Sequence, residues 1–215
     1  MPRDSDRPAK GEDRYDAPAE PASEEIRERG SRFIACLRPC GSLEAGAEEL
    51  ESIRKRYHGA THHCWACRVG WSGTLLERWS DDGEPHHTAG EPILKAMAQS
   101  GISDGILVVV RYFGGIKLGV GGLARAYRRA AASVLETGPR AARTITRSFA
   151  VRVPFPAQGA LRRLLEPYGA SIAGEAYGED WHVTIEVPAG SGAVFEGELE
   201  RLREKTGGEV TWKSK

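Results

Sequence analysis

The segment from Ile106 to Arg129, ILVVVRYFGGIKLGVGGLARAYRR, limits the possible folds more than any other part of the chain. It opens with a run of five apolar residues, Ile106–Val110, whose length and β-branched content are typical of a buried strand. Glycines then recur at positions 114, 115, 119, 121 and 122, and a helix is predicted from about Leu123. A buried strand, a Gly-rich turn and a helix in this order predict a layered domain of the α+β class.

The same segment carries only positive charge, from Arg111, Lys117, Arg125, Arg128 and Arg129, with no carboxylate between positions 106 and 130. Turn N–H groups, a helix N-terminus and uncompensated cations favour anion binding. We predict a site for an anion or nucleic acid formed by Arg111, Gly114, Gly115, Lys117, Gly119, Gly121, Gly122, Arg125 and Tyr127. A structural alternative stays open, in which the glycines only permit a tight turn and Arg111 forms an ion pair.

Composition restricts where such binding can occur. The 215 residues contain 30 cations and 30 carboxylates, so no net charge draws the chain to nucleic acid, and a local patch must do so. The apolar runs are far shorter than the roughly 20 residues that a membrane-spanning helix needs. The first 25 residues have no apolar core of a signal peptide. We therefore expect a cytoplasmic protein with reduced thiols and no membrane partner.

A second candidate site lies in and near the polar loop Ser80–His87. Imidazoles and carboxylates are ligands of catalytic metal ions, and paired carboxylates with histidine also suit acid–base chemistry. This alternative, a metal-assisted hydrolase, uses His62, Asp81, Asp82, Glu84 and His86. The competing interpretation is a hydrogen-bonded loop, followed by a helix that Thr88 and Glu91 cap as a capping box. No recognised catalytic motif is present, so we predict no catalytic residue, metal or cofactor.

The four cysteines, Cys36, Cys40, Cys64 and Cys67, have a spacing that superficially suggests zinc. Cys36 lies within an apolar strand pattern, and Cys64 and Cys67 flank Trp65 in another. Residues three apart on a strand point to opposite faces. We therefore predict buried thiols rather than a zinc site.

The chain divides into three predicted regions. Residues 1–28 are rich in charge, Pro and Ala without hydrophobic periodicity, which predicts a disordered tail. Residues 29–138 form the first domain, and residues 139–215 form the second, with a βαββαβ order typical of a ferredoxin-like domain. In that second domain, Arg162 and Arg163 with Trp181 and His182 are a candidate basic sheet surface.

Several ordered motifs identify a family. Residues 90–119, GEPILKAMAQSGISDGILVVVRYFGGIKLG, resemble the signature of the IMPACT/YigZ family, supported by ATHHC from Ala60, SDDGEP from Ser80 and GGLARAY from Gly121. The resemblance implies a first domain like the second domain of a small-subunit ribosomal protein and domain IV of elongation factor G. It implies a second domain like the ferredoxin-like domain V of that factor.

The family also implies a role in translation. Its eukaryotic members restrain a translational-control kinase by competing for the ribosome-associated activator of that kinase, whereas its bacterial members have no settled activity. We predict a non-enzymatic protein that binds nucleic acid or the ribosome. The alternatives are the hydrolase and a protein-interaction module that regulates a translational-control factor.

Overall fold

The computed structural model describes residues 14–71 and 74–214. It contains two compact units, and the boundary between them falls between Arg143 and Thr144. The predicted domain boundary lay five residues earlier, after Gly138. No helix within the described residues is long and apolar enough to cross a bilayer.

The first unit is built on a five-stranded antiparallel sheet with the strand order β2-β3-β6-β4-β5. Its middle strand comes from the apolar run that opens the Gly-rich segment, and all but one of its residues are buried. The strands are β2 (Ala22–Glu28), β3 (Ser31–Pro39), β4 (His62–Val69), β5 (Leu76–Ser80) and β6 (Gly105–Tyr112).

Helices cover both faces of this sheet, which explains why β6 is apolar on both sides. The helices are α1 (Leu43–Arg56), α2 (Gly90–Ser100) and α3 (Gly119–Thr137). Leu107 and Val109 of β6 face α2 and α3, whereas Val108 and Val110 face α1. The buried residues of α3 recur at helical spacing, with Leu123, Ala126, Tyr127, Ala130, Ala131, Val134 and Leu135 in the core.

The prediction of a disordered tail is wrong for residues 14–28, which form two strands, whereas residues 1–13 lie outside the described residues. Strand β1 (Arg14–Pro18) pairs with β7 (Arg140–Thr144), and β2 pairs with β3 at the edge of the large sheet. Exposed and partly buried residues alternate along β2, as at an edge strand with one solvated face. Four of its seven residues are charged, two on each face, and they gave the sequence its disordered composition.

The second unit has the predicted βαββαβ order. Its elements are β8 (Thr146–Val153), α4 (Gln158–Leu165), β9 (Ser171–Tyr177), β10 (Trp181–Pro188), α5 (Ala189–Lys205) and β11 (Thr211–Ser214). The antiparallel sheet has the strand order β11-β8-β10-β9. Alternate residues of β8 and β10, among them Val151 and Val183, share one core with Phe195 and Leu199 of α5.

Candidate functional site

The Gly-rich turn starts at the end of β6, and hydrogen bonds fix its first residues. The N–H of Phe113 donates to Thr61 Oγ1 at 3.1 Å, and the N–H of Gly114 donates to Ser31 Oγ at 3.2 Å. A Cβ on Gly114 would lie 1.9 Å from the carbonyl carbon of Gly30, far inside van der Waals contact. The base of the turn is therefore packed backbone to backbone against the β2–β3 hairpin, and residue 114 must be glycine.

Arg111, predicted as a principal anion contact, is buried beneath this turn. Its side chain is 5% exposed, and Nη1 lies 2.5 Å from Oε1 of Glu84, which is itself 4% exposed. Its Nη2 lies 3.4 Å from Ser31 Oγ, and the rings of Phe33 and Phe113 each lie 5.4 Å from the guanidinium carbon. Arg111 therefore forms an ion pair, as in the structural alternative, and does not contact an anion. A buried carboxylate neutralises it, and solvent does not reach it.

Glu84 is the centre of a polar network beneath the turn. Besides Arg111, its Oε1 accepts a hydrogen bond from Tyr127 Oη at 2.8 Å and lies 3.9 Å from His62 Nε2. Tyr127 Oη also lies 3.3 Å from Cys64 Sγ. Burial raises the pKa of Tyr127, and the neighbouring Cys64 and Glu84 raise it further, so the phenol remains a protonated donor. Tyr127 therefore ties α3 to the polar loop and is not available to an anion outside.

Asp81 holds the start of α2. Its carboxylate accepts three backbone hydrogen bonds at 2.9 Å, from the N–H groups of His87, Ala89 and Gly90. The predicted capping box is wrong, because the Thr88 hydroxyl donates to the carbonyl of Pro85 and no side chain of the N-cap residue caps the helix. A carboxylate nine residues before the helix satisfies the N–H groups that the capping box was expected to satisfy.

Asp82 is also held by hydrogen bonds, to both backbone and side-chain groups. Its Oδ2 accepts from the N–H of His63 at 2.7 Å, its Oδ1 from Arg54 Nη2 at 3.1 Å, and its carbonyl lies 2.8 Å from His62 Nδ1. His86 contacts the ring of His87, with centroids 5.6 Å apart. Among the described residues, no three His, Cys, Asp or Glu side chains are arranged to hold a metal ion. The residues of the hydrolase alternative thus form a hydrogen-bonded loop around Glu84, and His86 stands outside it.

The cysteines are distributed as the strand period predicts. Cys64 belongs to the core between the sheet and helices α2 and α3, whereas Cys36, Cys40 and Cys67 belong to the core beneath α1. The Sγ atoms of Cys40 and Cys67 lie 3.7 Å apart, and all four thiols are free and buried. The predicted placement of Cys64 and Cys67 on opposite faces is confirmed.

Beyond Gly114 the turn is exposed, and we refer to residues 115–120 as the loop tip. Lys117 in the tip and Arg125 in the second turn of α3 are exposed and form no ion pair or side-chain hydrogen bond with another described residue. Within the described part of the chain, the N–H groups of residues 115–118 likewise have no acceptor. Gly115 and Gly119 adopt positive φ values of 85° and 68°, which let the backbone turn into the helix. These cations and N–H groups are therefore accessible to an external anion.

Helix α3 begins at Gly119 without a side-chain cap and without an acidic residue in its first turn. Gly121 and Gly122, predicted as part of the loop, lie in this first helical turn. The positive end of the helix dipole therefore adds to the charge of Lys117 and Arg125. The other cations of the helix are engaged, Arg128 with Gln99 at 3.0 Å and Arg129 with Glu28 at 2.9 Å.

The sequence analysis missed an apolar component of this surface. Phe113, Ile116 and Val120 are 47%, 54% and 65% exposed, although side chains of these types are usually buried. The available signal was the position of three large apolar residues within a glycine-rich turn, where no helix or strand period directs them inward. The surface thus combines apolar contacts with positive charge.

This fold and site define a two-unit α+β protein whose first unit presents a basic, partly apolar loop. The model of the Impact N-terminal domain matches residues 29–135. An IMPACT family member from Haemophilus influenzae is 34% identical over 180 residues, which cover 82% of this chain and 85% of the relative. The chain belongs to the IMPACT family.

Two further comparisons agree with this assignment. The IMPACT family member in the pol 5' region of Thermus thermophilus is 44% identical over 135 residues, covering 63% of this chain and 72% of that protein. A crystal structure of a hypothetical protein superposes with a TM-score of 0.68 at 30% identity, covering 93% of this chain and 96% of that one. The similarity to the solved structure extends over both units.

Proposed function

We propose that the chain is a non-enzymatic protein that binds nucleic acid or the ribosome, in translation or its regulation, through the loop tip and the adjacent Arg125. One observation carries this proposal. Lys117 and Arg125 lack ion-pair partners within the described structure and lie beside the uncapped N-terminus of α3. Cations and free N–H groups in one place are what a phosphate requires.

The exposed apolar residues support single-stranded or loop RNA as the ligand. Phe113 is positioned to stack on an unpaired base while Lys117 and Arg125 contact the phosphates on either side. Aromatic stacking next to a basic track is the usual way in which proteins bind single strands. Arg111, Glu84 and Tyr127 then support the loop from beneath, and the glycines at 114, 115, 119, 121 and 122 give it its shape.

We also propose a known relative for the fold of each unit. We propose that the first unit resembles the second domain of a small-subunit ribosomal protein and domain IV of elongation factor G. The second unit, by its βαββαβ order, then corresponds to domain V of that factor. Both likenesses suit a protein that acts on the ribosome, although fold alone does not define function.

The test compares two double variants of the full chain, Lys117→Ala/Arg125→Ala and the control Lys55→Ala/Arg78→Ala. Both remove two exposed cations that form no ion pair with another described residue. Sedimentation with ribosomes and with total RNA is measured across a salt series. We expect the loop variant to bind roughly tenfold more weakly at low salt and to show a shallower salt dependence, since each phosphate contact contributes about 0.7 to 0.9 to the log–log slope. The control is expected to bind as the wild type does.

Two results would overturn the proposal. One is the absence of binding by the wild type at low salt, and the other is an equal loss in the loop variant and the control. Arg111→Ala is unsuitable here, because it would leave Glu84 buried without its cation and confuse unfolding with lost contact.

A protein-interaction module is the second candidate, favoured by the exposure of Phe113, Ile116 and Val120. Exposed apolar side chains close together in the sequence suit a protein interface. This candidate predicts that Ile116→Ser/Val120→Ser abolishes a salt-tolerant association with a protein and leaves RNA binding unchanged. Loss of RNA binding in the same variant would instead place these side chains in the RNA contact.

A further inference from the structure

The sheet of the second unit has one face that its helices do not cover. The core of this unit is formed by Val151, Val183 and their neighbours with α4 and α5 on one side of the sheet. Because strand side chains alternate between faces, residues next to these point away from the helices. The outward face borders an open cavity of about 700 Å³.

Strand register gives the arrangement of side chains on this outward face. One row across the sheet is Thr211, Arg152, His182 and Ala176, and the next outward row is Lys213, Ala150, Thr184 and Gly174. Directly opposite residues have Cβ atoms about 5 Å apart, and diagonal ones about 7–8 Å. Arg152 on β8 therefore lies opposite His182 and diagonal to Lys213, which are themselves two strands apart, beside a floor of small residues.

These two rows contain three basic side chains and no carboxylate. His182 and Lys213 are exposed and have no hydrogen-bond or ion-pair partner among the described residues. Arg152 donates to Asp180, which lies at the β9–β10 turn, at 2.8 Å. Glu186 occupies the following outward position on β10. Of the two permanently charged cations in these rows, Arg152 is thus ion-paired, and Lys213 has no ion-pair partner among the described residues.

The face also lacks the groups that recognise bases. The aromatic residues Phe149 and Trp181 are fully buried in the core, and Trp212 packs against the same core. Trp181 lies beneath Arg162, whose guanidinium carbon is 4.6 Å from the ring. The candidate surface of Arg162, Arg163, Trp181 and His182 is therefore wrong, because both arginines lie on α4 and only His182 points outward. Base stacking, the usual means of binding by an open sheet, is not available.

We infer that the outward face of this sheet binds the phosphodiester backbone of single-stranded RNA through Arg152, His182 and Lys213, without reading the bases. Gly174, Ala150 and Ala176 have no bulky side chain, so a sugar–phosphate backbone can approach the sheet closely. Thr184 and Thr211 supply hydroxyl donors. Arg152 and His182, about 5 Å apart, and Lys213, diagonal to Arg152 at about 7–8 Å, suit successive phosphates. The inference rests on the proposed function for its ligand class, but it uses residues outside the loop tip.

The experiment measures binding of a fluorescein-labelled ten-residue oligouridylate to the full chain by fluorescence anisotropy, at pH 8.0 over a salt series. The test variant is Lys213→Ala/His182→Gln. Its matched control is Lys205→Ala, which removes an exposed lysine from the helix side of the same unit. The loop variant Lys117→Ala/Arg125→Ala is measured in parallel. We expect the test variant to bind about three- to tenfold more weakly at low salt, with a log–log salt slope smaller by about 0.7, because Lys213 contacts one phosphate.

A second measurement isolates His182. Its ring lies opposite Arg152 across the β8–β10 ladder, whereas Lys213 is two strands away and Glu186 is four residues along its own strand. The single variant His182→Gln is expected to bind the oligonucleotide more weakly than the wild type, because it loses the imidazole that contacts a phosphate. Equal binding by both proteins would remove His182 from the contact and contradict the inference.

The remaining outcomes separate this inference from the proposed function. If the loop variant loses binding while the test variant matches Lys205→Ala, the sheet inference fails and the proposed function stands. If the test variant loses binding and the loop variant does not, the inference stands and the loop proposal fails. Inorganic phosphate that displaces the oligonucleotide at an equal phosphate concentration would identify a small-phosphate site and overturn the RNA assignment.

Discussion

The base and the tip of the Gly-rich turn differ in what their residues do, although the sequence mixes them. At the base, Arg111 is paired with Glu84, and Gly114 packs against Gly30 with no room for a Cβ. At the tip, Lys117 has no partner in the described structure, and a Cβ on Gly115 would meet nothing within 4 Å. Two cations six residues apart therefore have opposite roles, one stabilising the fold and one available to a ligand.

The largest expected effect is at the base. Arg111→Met leaves the Glu84 carboxylate buried without its cation, and we expect a loss of about 3–5 kcal/mol in the free energy of unfolding. Urea denaturation followed by circular dichroism measures it. The double variant Arg111→Met/Glu84→Gln removes both charges and is expected to recover part of the loss. No recovery would show that the ion pair is not what the single variant breaks.

The two neighbouring glycines give a matched test of the contrast. Gly114→Ala places a methyl group against the backbone of Gly30, and we expect a cost of about 3 kcal/mol in unfolding free energy, the upper part of the usual range for overpacking. Gly115→Ala has space but a positive φ, so a cost of about 1 kcal/mol is expected. Thermal or urea unfolding of the two variants measures both costs. Equal costs would contradict the distinction between base and tip.

A smaller, pH-dependent effect is expected at His63, which lies beside the polar loop. Burial lowers the pKa of His63, although its hydrogen bond to the Tyr57 carbonyl opposes this. The folded state thus binds fewer protons than the unfolded state just below pH 6.5, the ordinary histidine value. Stability should therefore fall as the pH decreases through that value and level off below the folded pKa.

Urea midpoints of the wild type and His63→Gln at pH 7.5 and 5.5 measure this contribution. We expect the wild type to lose more stability than the variant between the two pH values. A larger loss in the variant would mean that folding raises the pKa of His63 instead.

The smallest effect on stability is expected at the tip. Lys117→Ala/Arg125→Ala removes side chains without partners in the described structure, so the unfolding free energy should change by no more than about 0.5 kcal/mol. The same denaturation assay checks this. A larger loss would show that these cations support the fold and would weaken the use of this variant as a binding test.

Sequence patterns predicted the elements whose signal is local. Strand β6 was predicted from its apolar run, and the second unit from its order of strands and helices. The opposite orientation of Cys64 and Cys67 followed from the strand period alone. Each of these depends on residues close together in the chain.

The predictions that failed depend on partners distant in sequence. Nothing near Arg111 indicates that Glu84, 27 residues earlier, neutralises it. Nothing near α2 indicates that Asp81 accepts the N–H groups at its start. Strand β2 carries charged residues on both faces, and its pairing with β3 is what orders it. In these three cases the structure depends on a partner distant in the chain. The charged or polar residues nearby in the sequence do not reveal that partner.

Strand β2 also has a practical consequence for anyone who divides the protein into pieces. The match to the Impact N-terminal domain begins at residue 29, after β2 has ended. A fragment cut there would leave β3 at the margin of the sheet, with a row of amide and carbonyl groups exposed along an apolar strand. Such margins recruit strands from other molecules. A fragment of residues 29–135 is therefore expected to self-associate in size-exclusion chromatography, whereas one of residues 14–143 keeps its own covering strand.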